Sequence, residues 1–249
     1  MAMDQCNPGF NDAIEKYFGA HRLLPPLLGR LIESLERGRV RLLGGKVMLN
    51  ERIVEYPMVF RLIRPSGRVL DVGCVSSRLP LQLASLGYEV HGIDLRDYPL
   101  GHPAFTFHKL DLTQDTLPFE HESFDIVTAV SCLEHFGLSG YGDGSRGGDA
   151  DRRGVAAILS LLKPRGQLIF TCPFGRAAVT RKHRIYDREG LQRLLDGFAI
   201  ERECYFRRGD AGWAPASMED LATVDSPTLP VNGVAILDCI KRDPTATQG

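Results

Sequence analysis

Between residues 68 and 173 the chain alternates short apolar runs with stretches whose apolar residues recur at helical spacing. The runs RVLDVGC (68–74), YEVHGID (88–94), FTFHKLD (105–111), SFDIVTAVS (123–131) and QLIFTCP (167–173) read as strands. LPLQLASLG (79–87) reads as a helix closed by Gly87, and 152–162 as a helix stopped by KPRG. Strands alternating with helices imply parallel units joined by right-handed crossovers. After Pro173 the pattern changes: YDREGLQRLLDG is a helix with Asp187 as its N-cap, and FAIERECYF (198–206) and GVAILDCIKR (233–242) are strands flanking an irregular stretch rich in Pro, Ser and Asp. The expectation is α/β: a doubly wound, mostly parallel sheet of seven strands.

Ahead of this lie accessory helices. Apolar residues at helical spacing run from Phe10 through Ile14 and Phe18 to Leu31 and Leu35, broken at Pro25 and Pro26, and a further helix spans Glu51 to Ile63 before the breaker RPSG. The expected organisation is an N-terminal helical extension and ligand lid over 1–63, an α/β domain over 64–242 and a flexible tail over 243–249.

Composition narrows the partners. The chain has 249 residues, 43% of them hydrophobic, enough for one sizeable core. Its formal net charge of -1, without a long single-sign block, gives no general attraction for nucleic acid or an anionic membrane. No apolar run approaches the roughly 20 residues needed to span a bilayer, and the polar start (Asp4, Gln5, Asn7) is unlike a signal peptide, so a cytoplasmic location is expected. Six cysteines without a Cys-x-x-Cys pair read as reduced, buried small hydrophobes. No metal site is expected: Asp143, Asp149 and Asp151 sit in a glycine-rich loop that fixes no coordination geometry.

The chemistry gathers at strand ends. In an open α/β sheet, ligands bind outside the carboxyl ends of the strands. Asp71 and Gly73 lie at the first such end, Asp94 at the second and Asp111 at the third. Asp94 follows Asp71 by about the 20-residue interval at which an acid meets ribose hydroxyls. Singly, each is a turn former or cap; together, beside a glycine turn, they favour a nucleoside-like ligand.

These residues resemble the class I S-adenosylmethionine-dependent methyltransferases, which have a Rossmann-like fold. VLDVGC is similar to their first motif, VHGIDL to the ribose-binding turn, LDLTQDTLPFEHESFDIVTAVSCLEH to the adenine-side segment and fourth strand, and LLKPRGQLIFTCP to the turn into the fifth strand. LPFEHESFDIV followed by LEH looks like the small-molecule branch of ubiquinone, sugar and natural-product methyltransferases. The resemblance implies S-adenosylmethionine as cofactor and a small-molecule acceptor. It would place Asp94 with Leu95 at the ribose, Asp111 and Leu112 at the adenine edge, and Asp71, Gly73 and Ser131 at the methionine end. A homo-oligomer is compatible with it.

One departure stands out. The family usually reads Gly-x-Gly after the first strand, where this chain reads Gly73-Cys74-Val75-Ser76-Ser77. A left-handed Val75 would be strained; otherwise Ser76 or Ser77 caps the helix starting near Arg78, whose free amides still attract the methionine carboxylate, and Arg78 either adds a charge-assisted bond to it or stands solvated at the surface. Tyr56, in the N-terminal extension, either closes over the cofactor as a lid or packs as a core aromatic.

On the acceptor side, His135 in CLEHFG is the expected general base for a hydroxyl acceptor, with Glu134 to orient it or bind an amine. His183, in RKHRIYD with Tyr186, is the rival base. Two other readings remain: a nicotinamide oxidoreductase, disfavoured because no Gly-x-Gly-x-x-Gly follows the first strand, and a non-catalytic relative that uses the fold as a binding module.

Overall fold

The computed structural model describes residues 50–114, 116–139, 148–210, 212–227 and 231–243. The accessory helices expected within 10–37, Asp143 and the tail beyond 243 fall outside them. In chain order the elements are α1 (Arg52–Leu62), β1 (Arg68–Val72), a 3-10 turn (Cys74–Ser76), α2 (Leu79–Ser85), β2 (Glu89–Asp94), β3 (Phe105–Lys109) and β4 (Phe124–Val130). A second 3-10 turn (Leu133–His135), α3 (Ala150–Leu161), β5 (Leu162–Pro173), β6 (Ala178–Val179), β7 (Arg184–Ile185) and α4 (Arg188–Leu194) follow. The chain then forms β8 (Phe198–Gly209), β9 (Gly212–Ala216), α5 (Met218–Leu221) and β10 (Gly233–Lys241).

The sheet has eight strands in the order β3-β2-β1-β4-β5-β10-β8-β9. β1 to β5 run parallel, while β10 is antiparallel to both β5 and β8, and β9 is antiparallel to β8. The strand missing from the sequence reading is β9. Its sequence GWAPA has no apolar alternation and carries Pro215, which a sheet accepts at an edge. It is a strand because β8 offers it a ladder from Tyr205↔Ala216 to Gly209↔Gly212. β6 and β7 pair as a separate two-stranded ribbon, also unforeseen.

Successive strand residues point to opposite faces, and two cores result. On one face Val69, Ile126, Ile169 and Ile236 pack with Val59 and Leu62 of α1 and Leu79 and Leu83 of α2. On the other, Leu70, Val127, Phe170 and Leu237 pack with Val155, Ile158 and Leu161 of α3 and Leu191 and Leu194 of α4. α1, assigned by sequence to an extension and lid, is thereby part of the fold: Val59 and Leu62 are 0% and 4% exposed.

The β2–β3 connection carries no helix, because its ten residues include Pro99 and Pro103. Tyr98 fills the gap instead, its ring 5.1 Å from that of Phe105 and its hydroxyl donating to the Ser77 carbonyl at 2.9 Å. Asp187 caps α4 as expected, accepting from the Gly190 N–H at 2.7 Å. Asp149 stands at the start of α3 without a side-chain cap and pairs with Arg153, while Asp151 is buried, accepting from the Tyr186 hydroxyl at 2.9 Å.

Candidate functional site

Sheet order reverses between β1 and β4, which leaves a crevice at their carboxyl ends. Of the sequence candidates, Gly73, Asp94, Leu95, Asp111, Leu112, Ser131 and His135 line one cleft there. Asp71, Val75, Arg78, Tyr56, Glu134 and His183 are not among its lining residues.

The loop after β1 resolves the missing-glycine question. The left-handed position is Gly73, at φ 74° and ψ 40°, and a Cβ placed there would lie 2.5 Å from Cys132 Cβ. Only glycine fits that approach. Val75 belongs to the 3-10 turn with ordinary negative φ, so its branched side chain carries no backbone strain. Its N–H donates to Asp94 Oδ2 at 3.0 Å, tying the loop to the end of β2.

The start of α2 differs from expectation. Ser77 Oγ accepts from the Leu79 N–H at 2.9 Å, and Pro80 has no N–H, so two of the first amides are unavailable to a carboxylate. Arg78 is exposed and outside the cleft lining. The helix start thus offers fewer free amides than its sequence suggests, and Arg78 stands at the surface beside it. Tyr56 is half-buried and donates from its hydroxyl to Ser77 Oγ at 2.9 Å, fastening α1 to the loop rather than reaching into the cleft.

At the end of β2, Asp94 Oδ1 accepts from the Arg96 N–H at 3.0 Å and from Arg96 Nε at 3.2 Å. Arg96, missed by the sequence reading, lines the cleft with its side chain about half exposed. Leu95 is 45% exposed, an uncovered apolar side chain at the same wall. Asp111 Oδ1 holds both the N–H and the hydroxyl of Thr113, at 2.9 and 2.7 Å. Asp71 is 2% exposed; its Oδ1 accepts from the Thr128 hydroxyl at 2.7 Å and its Oδ2 has no partner among the described residues. Burial pushes its carboxyl up to about 7.

The opposite end is built around residues from α1. Arg52 lines the cleft and donates from Nη1 to Glu55 Oε2 and to the Val130 carbonyl, both at 2.9 Å. Glu55, fully buried, also accepts from the Ser131 and Thr171 hydroxyls at 2.5 and 2.6 Å. The available signal was a charged i,i+3 pair on an otherwise core-facing helix just before β1.

His135 is held by the Lys182 carbonyl, 2.5 Å from its Nδ1. A carbonyl can only accept, so Nδ1 carries the proton and Nε2 presents a lone pair. Burial pulls the imidazole down to about 4. Glu134 is 1% exposed, with Oε1 3.7 Å from His135 Nε2 and Oε2 without a partner among the described residues; burial pushes its carboxyl up to about 8.

His183 stands differently from its expected role as rival base. It is 1% exposed, its Nε2 lies 3.0 Å from the Ser226 carbonyl and its Nδ1 3.2 Å from Thr180 Oγ1. Both ring nitrogens serve to fasten the β6–β7 ribbon. Its neighbour Arg184 donates to the Glu134 and Phe136 carbonyls at 3.2 and 2.6 Å, fixing the segment that carries His135.

Among the described residues no group of three His, Cys, Asp or Glu side chains is arranged to hold a metal ion. No helix among them is long and apolar enough to cross a membrane.

Residues 70–170 match a family model described as a methyltransferase domain. Over those residues, and in its fold, the chain is similar to the class I S-adenosylmethionine-dependent methyltransferases. The chain is similar to the ubiquinone biosynthesis O-methyltransferase of Paraburkholderia phymatum, 33% identical over 112 residues, which is 42% of this chain and 43% of that protein. It is similar also to the enzyme of the same name from Xanthomonas campestris, 29% identical over 143 residues and 54% of each chain. The chain thus spans about half the length of the curated relatives it matches. Among solved structures, the 1,6-didemethyltoxoflavin-N1-methyltransferase of Burkholderia thailandensis, with 1,6-didemethyltoxoflavin and S-adenosylhomocysteine bound, superposes with a TM-score of 0.53 over 98% of this chain and 94% of that one. At 17% identity that likeness is one of fold.

Proposed function

We propose that the protein is an S-adenosylmethionine-dependent methyltransferase of a small molecule, transferring to oxygen with His135 as the base. The observation that carries this reading is the convergence of Asp94, Asp111, Arg52 and His135 in one cleft from four separate segments of the chain. The donor set fits the cofactor: acids for ribose hydroxyls and the adenine amine, apolar Leu95 and Leu112 for the ring, and the Arg52 cation for the methionine carboxylate.

The cofactor, when bound, supplies an electrophilic methyl group. The chain supplies position and proton handling. Asp94 presents oxygens to the ribose, with the Val75 amide and Arg96 fixing their orientation. His135 offers its unprotonated Nε2 to an acceptor hydroxyl, the tautomer being set by the Lys182 carbonyl. The neighbouring Glu134 carboxyl, once ionised, stabilises the imidazolium that forms.

Transfer to nitrogen is the second reading, favoured by one observation: an imidazole pulled down to about 4 is a weak base, and a neutral amine acceptor needs none. Two measurements test the proposal. Calorimetry with S-adenosylmethionine, S-adenosylhomocysteine and NAD should give binding of the first two alone, weakened by about 1.5 to 3 kcal/mol in Asp94→Ala. Silence from all three would leave the binding-module reading. Single-turnover transfer to candidate phenols, sugars and amines then identifies the acceptor atom. His135→Ala should cost about 10² to 10⁴ in rate for a hydroxyl acceptor and little for an amine.

A further inference from the structure

Ser131, directly after β4, lies in the cleft wall with φ at 42°, in the left-handed region. The other non-glycine residues of positive φ among those described, Glu122 and Arg165, are exposed. Serine has no special freedom there, and such a conformation persists only where its surroundings over-determine it. The surroundings do so here. The Ser131 N–H donates to Thr171 Oγ1 at 2.9 Å and lies 3.1 Å from the Thr171 carbonyl oxygen. The Ser131 and Thr171 hydroxyls both donate to Glu55 Oε1, at 2.5 and 2.6 Å, closing a ring of hydrogen bonds around the Ser131 peptide. Glu55 Oε2 takes Arg52, whose Nη1 also reaches the carbonyl of Val130, one residue earlier.

We infer that Glu55 is the positioning residue of the methyl-transfer end of the cleft, holding Ser131 left-handed and Arg52 at the wall from a helix whose carboxyl group never meets the ligand. The inference deepens the methyltransferase reading and rests on it. Packing alone does not account for a glutamate here. Val59 and Leu62 bury the same helix against the same sheet face, and an apolar side chain of similar volume would serve that purpose without desolvating a carboxyl group. The group is kept because it accepts three hydrogen bonds that an apolar side chain cannot. The Ser131 turn has a consequence for the opposite wall: it leads into Cys132, whose Cβ occupies the space that a side chain at Gly73 would need. The ends of β1 and β4 therefore abut where the cofactor's methionine end is proposed to lie.

The test is calorimetry with S-adenosylhomocysteine on the wild type, Glu55→Gln, Glu55→Ala and Glu55→Ala/Ser131→Gly, with melting temperatures and a crystal structure of Glu55→Ala. Glu55→Ala should weaken binding about 10- to 100-fold, the equivalent of a charged hydrogen bond. Ser131→Gly, which adopts the left-handed conformation unaided, should recover about tenfold of that loss in the Glu55→Ala background. Glu55→Gln, which keeps volume and one acceptor, should lie between wild type and Glu55→Ala and covers the case in which Glu55→Ala does not fold. Variants that melt lower yet bind as the wild type does would reduce Glu55 to a structural role. A binding loss that Ser131→Gly fails to recover would overturn the positioning of Ser131. If the wild type binds no S-adenosylhomocysteine, the methyltransferase reading fails on its own. A Glu55→Ala structure with Ser131 still left-handed then overturns the positioning inference separately.

Discussion

Val75 occupies a position where the family pattern has glycine, and the structure shows why the exchange is tolerated: the left-handed turn is made two residues earlier, by Gly73. What the loop contributes at Val75 is its backbone N–H, bonded to Asp94. Val75→Gly should therefore leave S-adenosylmethionine affinity within about a factor of three while lowering stability by about 0.4 to 1 kcal/mol, through added freedom of the unfolded chain. Calorimetry and denaturant melts read the two effects apart, and a large affinity change would show that the valine side chain itself meets the ligand. His135 gives a second residue-scale expectation. Burial favours its neutral form and brings the pKa from the usual 6.5 to about 4, so the proposed base is unprotonated at pH values above that. The single-turnover rate should rise through about pH 4 and be flat between about pH 5 and 7. An inflection near 6.5 that disappears in His135→Ala would mean that the imidazole is solvated in the working enzyme.

At the scale of elements, β1, β2, β4, β5 and β10 were legible because each holds a largely buried apolar run bounded by turn residues, and β3 because Phe105 and Phe107 alternate with polar residues. β9 and the β6–β7 ribbon were not, because their partners, and not their own composition, make them strands. The site followed the same division. Asp94, Asp111 and His135 announce themselves at strand ends, whereas Arg52 and Glu55 come from a helix before β1, and no spacing rule brings positions 76 residues apart into contact. For Arg78 the charge was visible in the sequence and its direction was not; the residue is exposed. His183 shows the limit most clearly, since a histidine near an acceptor region reads as a base until both its nitrogens are found engaged. His183→Ala removes the bond between the β6–β7 ribbon and the segment at Ser226, and should lower stability by about 1 to 3 kcal/mol. Transfer by the folded fraction should persist near the wild-type rate. A loss of 10² or more at full cofactor occupancy, in a variant that melts as the wild type does, would return the catalytic role to His183.

For the whole molecule, two buried acids outside the cleft lining couple stability to pH. Asp71 and Glu134 are 2% and 1% exposed, each has one carboxyl oxygen without a partner among the described residues, and burial pushes their folded pKa values up to about 7 and about 8. The unfolded chain would titrate them near 3.8 and 4.5. Because the folded state binds these protons more tightly, their contribution is fully present below about pH 4 and is lost as pH rises towards 8. Paired carboxylates elsewhere, such as Asp125 with Lys163 and the Arg68 N–H, have their pKa lowered and act in the opposite sense, losing their contribution on acidification. The ligand-free protein should therefore be most stable at mildly acidic pH. Asp71→Asn keeps the shape and the Thr128 hydrogen bond while removing the titration. Its melting temperature should exceed that of the wild type at pH 8 by more than it does at pH 5, and Glu134→Gln should behave likewise. Parallel melting curves for Asp71→Asn and wild type across that range would show that Asp71 is ionised in the folded protein throughout, and that Arg52 and the Thr128 hydroxyl already compensate its burial.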